Sequence, residues 1–172
     1  ADFTRGTTSL DTEMLSYLFS HAAWDLVSSM YYNTMEFNDL QAYGAAIQNI
    51  QIFDRTGFAY IPFNCAPALI AIISDFILSL DVVDIAIIYA MQKEGVRFSV
   101  RSEQKPIHAG TLIAKVLAPY GDGGGHPSMA GGMIPSGNLP LLGEDIHTTI
   151  QDAFLEVISA MELQSESRQT NQ

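Results

Sequence analysis

The sequence predicts an α+β fold, a mixed sheet of about five strands flanked by helices and preceded by linker helices. Two observations carry this reading. Residues 96–102, VRFSVRS, alternate strictly, with Val96, Phe98 and Val100 on one face and Arg97, Ser99 and Arg101 on the other, which is the period of a strand. Segments such as 67–80 and 109–117 instead repeat apolar residues at helical spacing, and the two kinds of segment are interleaved along the chain.

Composition bounds the rest. The chain has 172 residues, 48% of them hydrophobic, which suffices for the core of one domain, or of one domain plus a fragment of another. Its net charge of −11 opposes nonspecific binding to long nucleic acid, whose affinity comes mainly from Lys and Arg on phosphates. Cys65, the single cysteine, lies in an apolar run, excludes an internal disulfide and reads as a packing residue; a cytoplasmic setting is expected. Residues 58–74 carry no charge, but Pro62 and Pro67 interrupt them and Asp75 closes them. That is short of the ~20 apolar residues of a membrane span, so no membrane association is expected.

Residues 1–34 read as a loop followed by helices. Thr8 can cap the first, with Asp11 three residues on, and Leu10, Met14, Leu15, Leu18 and Phe19 form its apolar stripe. A second covers about 21–30. His21, beside Trp24, reads as a cap or packing residue because no ligand at metal-binding spacing accompanies it. A third helix over 35–48 places Phe37, Leu40, Tyr43, Gly44 and Ile47 on one side. Strands at 50–53 and 58–63 flank the turn Asp54-Arg55-Thr56-Gly57.

Pro67 stands near the start of a helix with apolar positions 69, 72, 73, 76, 77 and 80. Residues 83–91 are nearly continuously apolar, as in a strand covered on both faces, and Lys93, Glu94 and Gly95 turn it into the arginine-bearing strand. After Pro106, a helix buries Ala109, Leu112, Ile113, Val116 and Leu117. Its first amides are expected to attract an anion, with His108 either a further donor or a surface residue. Residues 121–135 read as a loop with an edge strand at 129–134. A last helix over 144–161 buries Ile146, Ile150, Phe154, Val157, Ile158 and Met161, and 164–172 are expected to be a disordered polar tail.

The loop expected at 121–135, GDGGGHPSMAGGMIP, is dense in glycine, which lets a ligand approach peptide amides without a Cβ in the way. It is not a dinucleotide fingerprint, because His126 stands where glycine is needed and a helix precedes it. Nor is it a phosphate-binding P-loop, since no lysine follows Lys115. Just upstream, Lys93, Arg97, Arg101 and Lys105 are four of the eight cations in the chain. In so acidic a protein their clustering points to an anion.

These residues carry a resemblance. The stretch VRFSVRSEQKPIHAGTLIAKVLAPYGDGGGHPSMAGGMIP resembles the C-terminal, DHH-associated substrate-binding domain of the DHH family phosphoesterases, which include RecJ-type exonucleases and bacterial nanoRNA and pAp phosphatases. The resemblance implies that residues 1–36 are the end of a DHH catalytic domain with linker helices and 37–172 the substrate-binding domain. It further implies hydrolysis of a phosphoester by water activated on Mn²⁺, with the metal held by an upstream DHH domain, no metal bound by this chain, and the fragment alone inactive.

It assigns substrate binding to Arg101, Ser102, Gly123, Gly124, Gly125 and His126, with Arg97 and Arg5 as further candidates. Asp2 is not assigned as a metal ligand. Short RNA, short DNA, pAp, a cyclic dinucleotide and polyphosphate all remain open as substrates, and so does a homodimer. The alternative is a non-catalytic RNA-binding module like the C-terminal domain of alanyl-tRNA synthetases, which resembles the same stretch. The charge of −11 and the lack of a basic stripe interleaved with aromatics weigh against it.

Overall fold

The structure, a computed structural model, describes residues 7–31 and 35–169. Arg5 and Asp2 lie outside the described residues, as do the last three residues of the expected tail. The described residues form two compact units, one up to Phe37 and one from Asn38.

The first unit holds α1 (Ser9–Phe19) and α2 (Trp24–Tyr31). Thr8 and Asp11 close a reciprocal cap on α1, with the Asp11 amide donating to Thr8 Oγ1 at 3.3 Å and the Thr8 amide to Asp11 Oδ2 at 2.8 Å. The Thr8 hydroxyl, which donates to Asp11 Oδ2 at 2.6 Å, and then the Thr8 amide hold the Asp11 carboxyl below its ordinary pKa. His21 Nδ1 lies 3.0 Å from Tyr17 O and from Ser20 Oγ, and Trp24 Nε1 donates to Phe19 O at 2.8 Å, so both rings serve the α1–α2 corner. Leu10, Met14, Leu18 and Phe19 are exposed.

The second unit is a six-stranded sheet in the order β1-β2-β3-β4-β6-β5. Its strands are β1 (Gln51–Phe53), β2 (Thr56–Ile61), β3 (Ile85–Gln92), β4 (Gly95–Ser102), β5 (Asp122–Gly125) and β6 (Met129–Pro135). Only β2 and β3 pair in parallel, their connection being made through α4 (Pro67–Leu78). Central β3 is buried on both sides, as its apolar run requires. Ile85, Ile87 and Tyr89 join a core with α5 (Ala109–Leu117) and α6 (Ile146–Gln169), while Ala86, Ile88 and Ala90 join one with α3 (Asp39–Gln48) and α4. A 3-10 segment, Ser136–Leu142, links β6 to α6. No helix among the described residues is long and apolar enough to cross a membrane.

Several expectations are corrected. The strands number six because the glycine-rich run is a hairpin, β5–β6, rather than a loop. Residues 129–134 belong to β6, an internal strand between β4 and β5, and β5 forms the edge. Helix α3 turns Ala42 and Ala46 to the core and leaves Leu40 and Ile47 exposed, because alanines let it lie close against the sheet. In α4 the buried set is Leu69, Ile70, Ile73, Ser74 and Ile77, with Ile72 and Phe76 outside; Ser74 satisfies its hydroxyl on Ile70 O at 2.8 Å. Helix α6 continues to Gln169, through residues expected to be disordered.

Phe154 of α6 is fully buried, its ring centroid 6.2 Å from that of Phe58 and 6.1 Å from that of Phe98, so it ties α6 to β2 and β4. Phe154→Ala should cost about 3–5 kcal/mol of unfolding free energy, to be read from urea denaturation.

Candidate functional site

The alternation of β4 places its two faces in different surroundings. Val96, Phe98 and Val100 enter the core under α5 and α6; Arg97, Ser99 and Arg101 face the side carrying α4. The register extends that second face across two more strands. Arg97 pairs with Met133, Ser99 with Gly131 and Arg101 with Met129, and Gly131 pairs in turn with Gly124. The middle row, Ser99-Gly131-Gly124, therefore ends in two residues without side chains. A Cβ on Gly124 would meet nothing within 4 Å, and one on Gly131 only Phe98 O at 3.4 Å. The result is a shallow open floor bordered by two arginines.

The arginines differ in state. Arg101 donates from Nε to Asp75 Oδ1 at 2.6 Å and from Nη2 to Asp75 Oδ2 at 3.5 Å, while Nη1 donates to Ser99 Oγ at 3.1 Å and to Val100 O at 3.3 Å. Arg97 has no carboxylate partner among the described residues. Its Nε is buried without a hydrogen-bond acceptor, and its Nη2 reaches only Met133 Sδ at 3.8 Å. A buried donor without an acceptor is costly, so Arg97 is the cation with most to gain from an incoming anion. Arg55, by contrast, is committed to Asp84, whose carboxyl the guanidinium holds below the usual range.

The glycine hairpin and the start of α5 are locked together. The amides of Ala109 and Gly110 donate to Pro127 O at 2.8 Å and His126 O at 3.1 Å, and the Thr111 amide donates to His108 Nδ1 at 3.1 Å. The expected anion site at this helix end is therefore absent, since its first amides already have acceptors and His108 is the N-cap. Gly110 and Gly125 make the approach possible: a Cβ on Gly110 would fall 2.4 Å from Gly125 O, and Gly125 itself takes φ +155°. The His126 amide donates to Met129 O at 2.8 Å. Alternation along an antiparallel ladder then turns the Gly124 amide toward β6 and the Gly123 and Gly125 amides toward the open edge.

The residues expected at the site thus separate. Arg97, Arg101 and Gly124 share one face with Ser99. Ser102 lies on the other, buried, its hydroxyl donating to Gln104 O at 3.4 Å and its amide to Ser128 O at 3.0 Å. Gly123 faces Ile113 of α5, Gly125 closes the turn, and His126 is exposed just beyond it. Asp75, Ser99, Gly131 and Met133 were not expected at the site. Strand alternation already puts Ser99 on the arginine face, whereas nothing local marks Asp75, Gly131 and Met133, which enter from α4 and β6. Burial and the Asp39 charge push the Cys65 thiol up, which disfavours its thiolate form.

A cavity of about 230 Å³ lies on the α6 side of the sheet, lined by Tyr60, Tyr89, His147 and Gln151 among others. Burial raises the Tyr89 hydroxyl, which sits 3.0 Å from His147 Nδ1. None of the described residues expected at the site lines it.

The DHHA1 domain pattern matches residues 55–152, more than half of the chain, including both arginines and the whole glycine hairpin. The chain belongs to the DHHA1 domain family. Among solved structures it is similar to an exopolyphosphatase-related protein from Bacteroides fragilis, with a TM-score of 0.70 at 17% identity, over 91% of this chain and 46% of that one. It is also similar to RecJ from Thermus thermophilus (TM-score 0.48, 13% identity, 69% of this chain and 17% of that one). A third similar structure is the C-Ala domain of Aquifex aeolicus alanyl-tRNA synthetase (TM-score 0.45, 16% identity, 66% of this chain and 96% of that one). The chain spans less than half the length of the Bacteroides fragilis protein. No curated protein sequence matches it.

The hairpin geometry separates two neighbouring glycines of the DHHA1 unit. Gly125→Ala should lower stability by at least about 1–2 kcal/mol, because it forces a side chain into positive φ and against Met129 O. Gly124→Ala should leave the melting temperature within a degree or two of wild type.

Proposed function

We propose that this chain is the substrate-binding part of a phosphoesterase that hydrolyses short oligonucleotides or small phosphorylated nucleotides. In this reading the arginine face receives a phosphate of the substrate, and an upstream DHH domain carries out the hydrolysis. The observation that carries it is Arg97, a guanidinium with a buried unpartnered Nε beside a floor opened by Gly124 and Gly131. A guanidinium offers phosphate a planar fork of donors, and the outward amides of Gly123 and Gly125 add uncharged donors at the strand edge. In this reading His126, exposed at the end of β5, contacts the nucleotide.

The described residues do not fit a metal centre, since no three His, Cys, Asp or Glu side chains converge among them. What Mn²⁺ would supply in the complete enzyme is activation of the attacking water, and the upstream domain would hold it. The residues of this chain bind and orient. Arg97 and Arg101 neutralise phosphate charge, and the open floor leaves room for the rest of a small substrate.

Calorimetric titration of the complete protein with a 5′-phosphorylated dinucleotide tests this. Arg97→Ala should weaken binding roughly ten- to a hundredfold, the value of a charged hydrogen bond of about 1.5–3 kcal/mol, with Arg101→Ala and His126→Ala also weaker than wild type. Unchanged affinity in all three would overturn the reading, and tighter binding of long RNA than of the dinucleotide would favour an RNA-binding module. Assayed alone, the 172-residue chain should release no product from pAp or short RNA with Mn²⁺ present, whereas the chain joined to its upstream domain should turn over both.

A further inference from the structure

We propose that Asp75 is an internal competitor for the phosphate site: its carboxylate occupies the binding edge of Arg101 until a substrate phosphate displaces it. This rests on reading the arginine face as the phosphate site. The edge of a guanidinium that grips an oxyanion in two-point fashion can be formed by Nε and one terminal nitrogen. In Arg101 that edge, Nε and Nη2, faces the two oxygens of Asp75, at 2.6 Å and 3.5 Å. Nη1 is committed elsewhere, to Ser99 Oγ and Val100 O. Arg101 therefore has no second fork to offer, and two-point phosphate binding requires Asp75 to leave.

Burial makes the exchange easy in one direction only. The Arg101 side chain is 13% exposed and clamped from the strand side, whereas the Asp75 side chain is 61% exposed. Asp75 can rotate into water while the guanidinium stays where it is. The empty site thus keeps its buried cation paired, and the filled site replaces one carboxylate charge by phosphate. Arg97 has no such guard, which makes it the first point of contact and Arg101 the second. Asp75 lowers apparent affinity by the work of breaking its ion pair, and it discriminates against singly charged ligands, which bring no more charge than the carboxylate they displace.

The test is a double-mutant cycle on the complete protein, read by calorimetric titration of a 5′-phosphorylated dinucleotide. Asp75→Asn should tighten binding by about two- to fivefold, the scale of a partly exposed ion pair. That gain should disappear when Arg101 is already Ala. Asp81→Asn, an equal change of charge at an exposed position with no contact to Arg101, should give a smaller gain. Thermal melting of each variant reports folding, and Asp75→Ser provides a second variant should Asn perturb α4. If Asp75→Asn and Asp75→Ser leave affinity unchanged or weaken it, Asp75 orients Arg101 rather than competing and the proposal falls. A gain that survives in the Arg101→Ala background would overturn it as a general charge effect. Should the dinucleotide bind with an affinity indifferent to both Arg97→Ala and Arg101→Ala, the phosphate-site reading fails first and takes the proposal with it.

Discussion

The backbone contact between the start of α5 and the β5–β6 hairpin fixes most of what surrounds it. Two amides of the helix donate to two carbonyls of the hairpin turn, at a separation that a Cβ on Gly110 or Gly125 would prevent. Held there, the hairpin lays β6 along β4 from Gly95 paired with Pro135 to Arg101 paired with Met129, and β5 becomes the edge. Because α5 packs on one side of these strands, the opposite side stays open over Gly124 and Gly131. The same contact that closes the helix end to anions creates the floor on which the arginines stand.

Electrostatics then divides the labour on that floor. The chain is strongly acidic, and a guanidinium placed against a sheet surface must either find a carboxylate or wait for a ligand. Arg101 has found one in Asp75, together with Ser99 Oγ, and Arg97 has not. An unpartnered buried donor is a liability for stability and an asset for binding, since the incoming anion restores an interaction the free protein lacks.

Legibility in the sequence followed the presence of side chains. β4 is readable because beyond Gly95 the polarity of each side chain reports its face, β3 because its apolar run marks a strand covered on both sides, and α5 because its five apolar positions repeat at helical spacing and all are buried. The glycine hairpin reads as a loop for the converse reason, as glycine has no side chain from which to read a period of two. The phase of α3 is not legible because hydrophobicity ranks Leu40 and Ile47 above Ala42 and Ala46, whereas a helix lying close to a sheet needs the smaller residues inward.

By itself the sequence determined that Arg97, Ser99 and Arg101 share a face, and that the glycine-rich run lies one helix downstream, because strand alternation and order along the chain are local properties. Tertiary structure decided which arginine is open. Asp75 reaches Arg101 from a helix 26 residues away, and Ser102, adjacent in sequence, is turned to the opposite side and buried. It also decided that the floor is formed by Gly124 and Gly131 rather than by the whole glycine run. Whether a glycine opens a surface or admits a helix depends on what packs above it, and only the pairing of distant segments sets that.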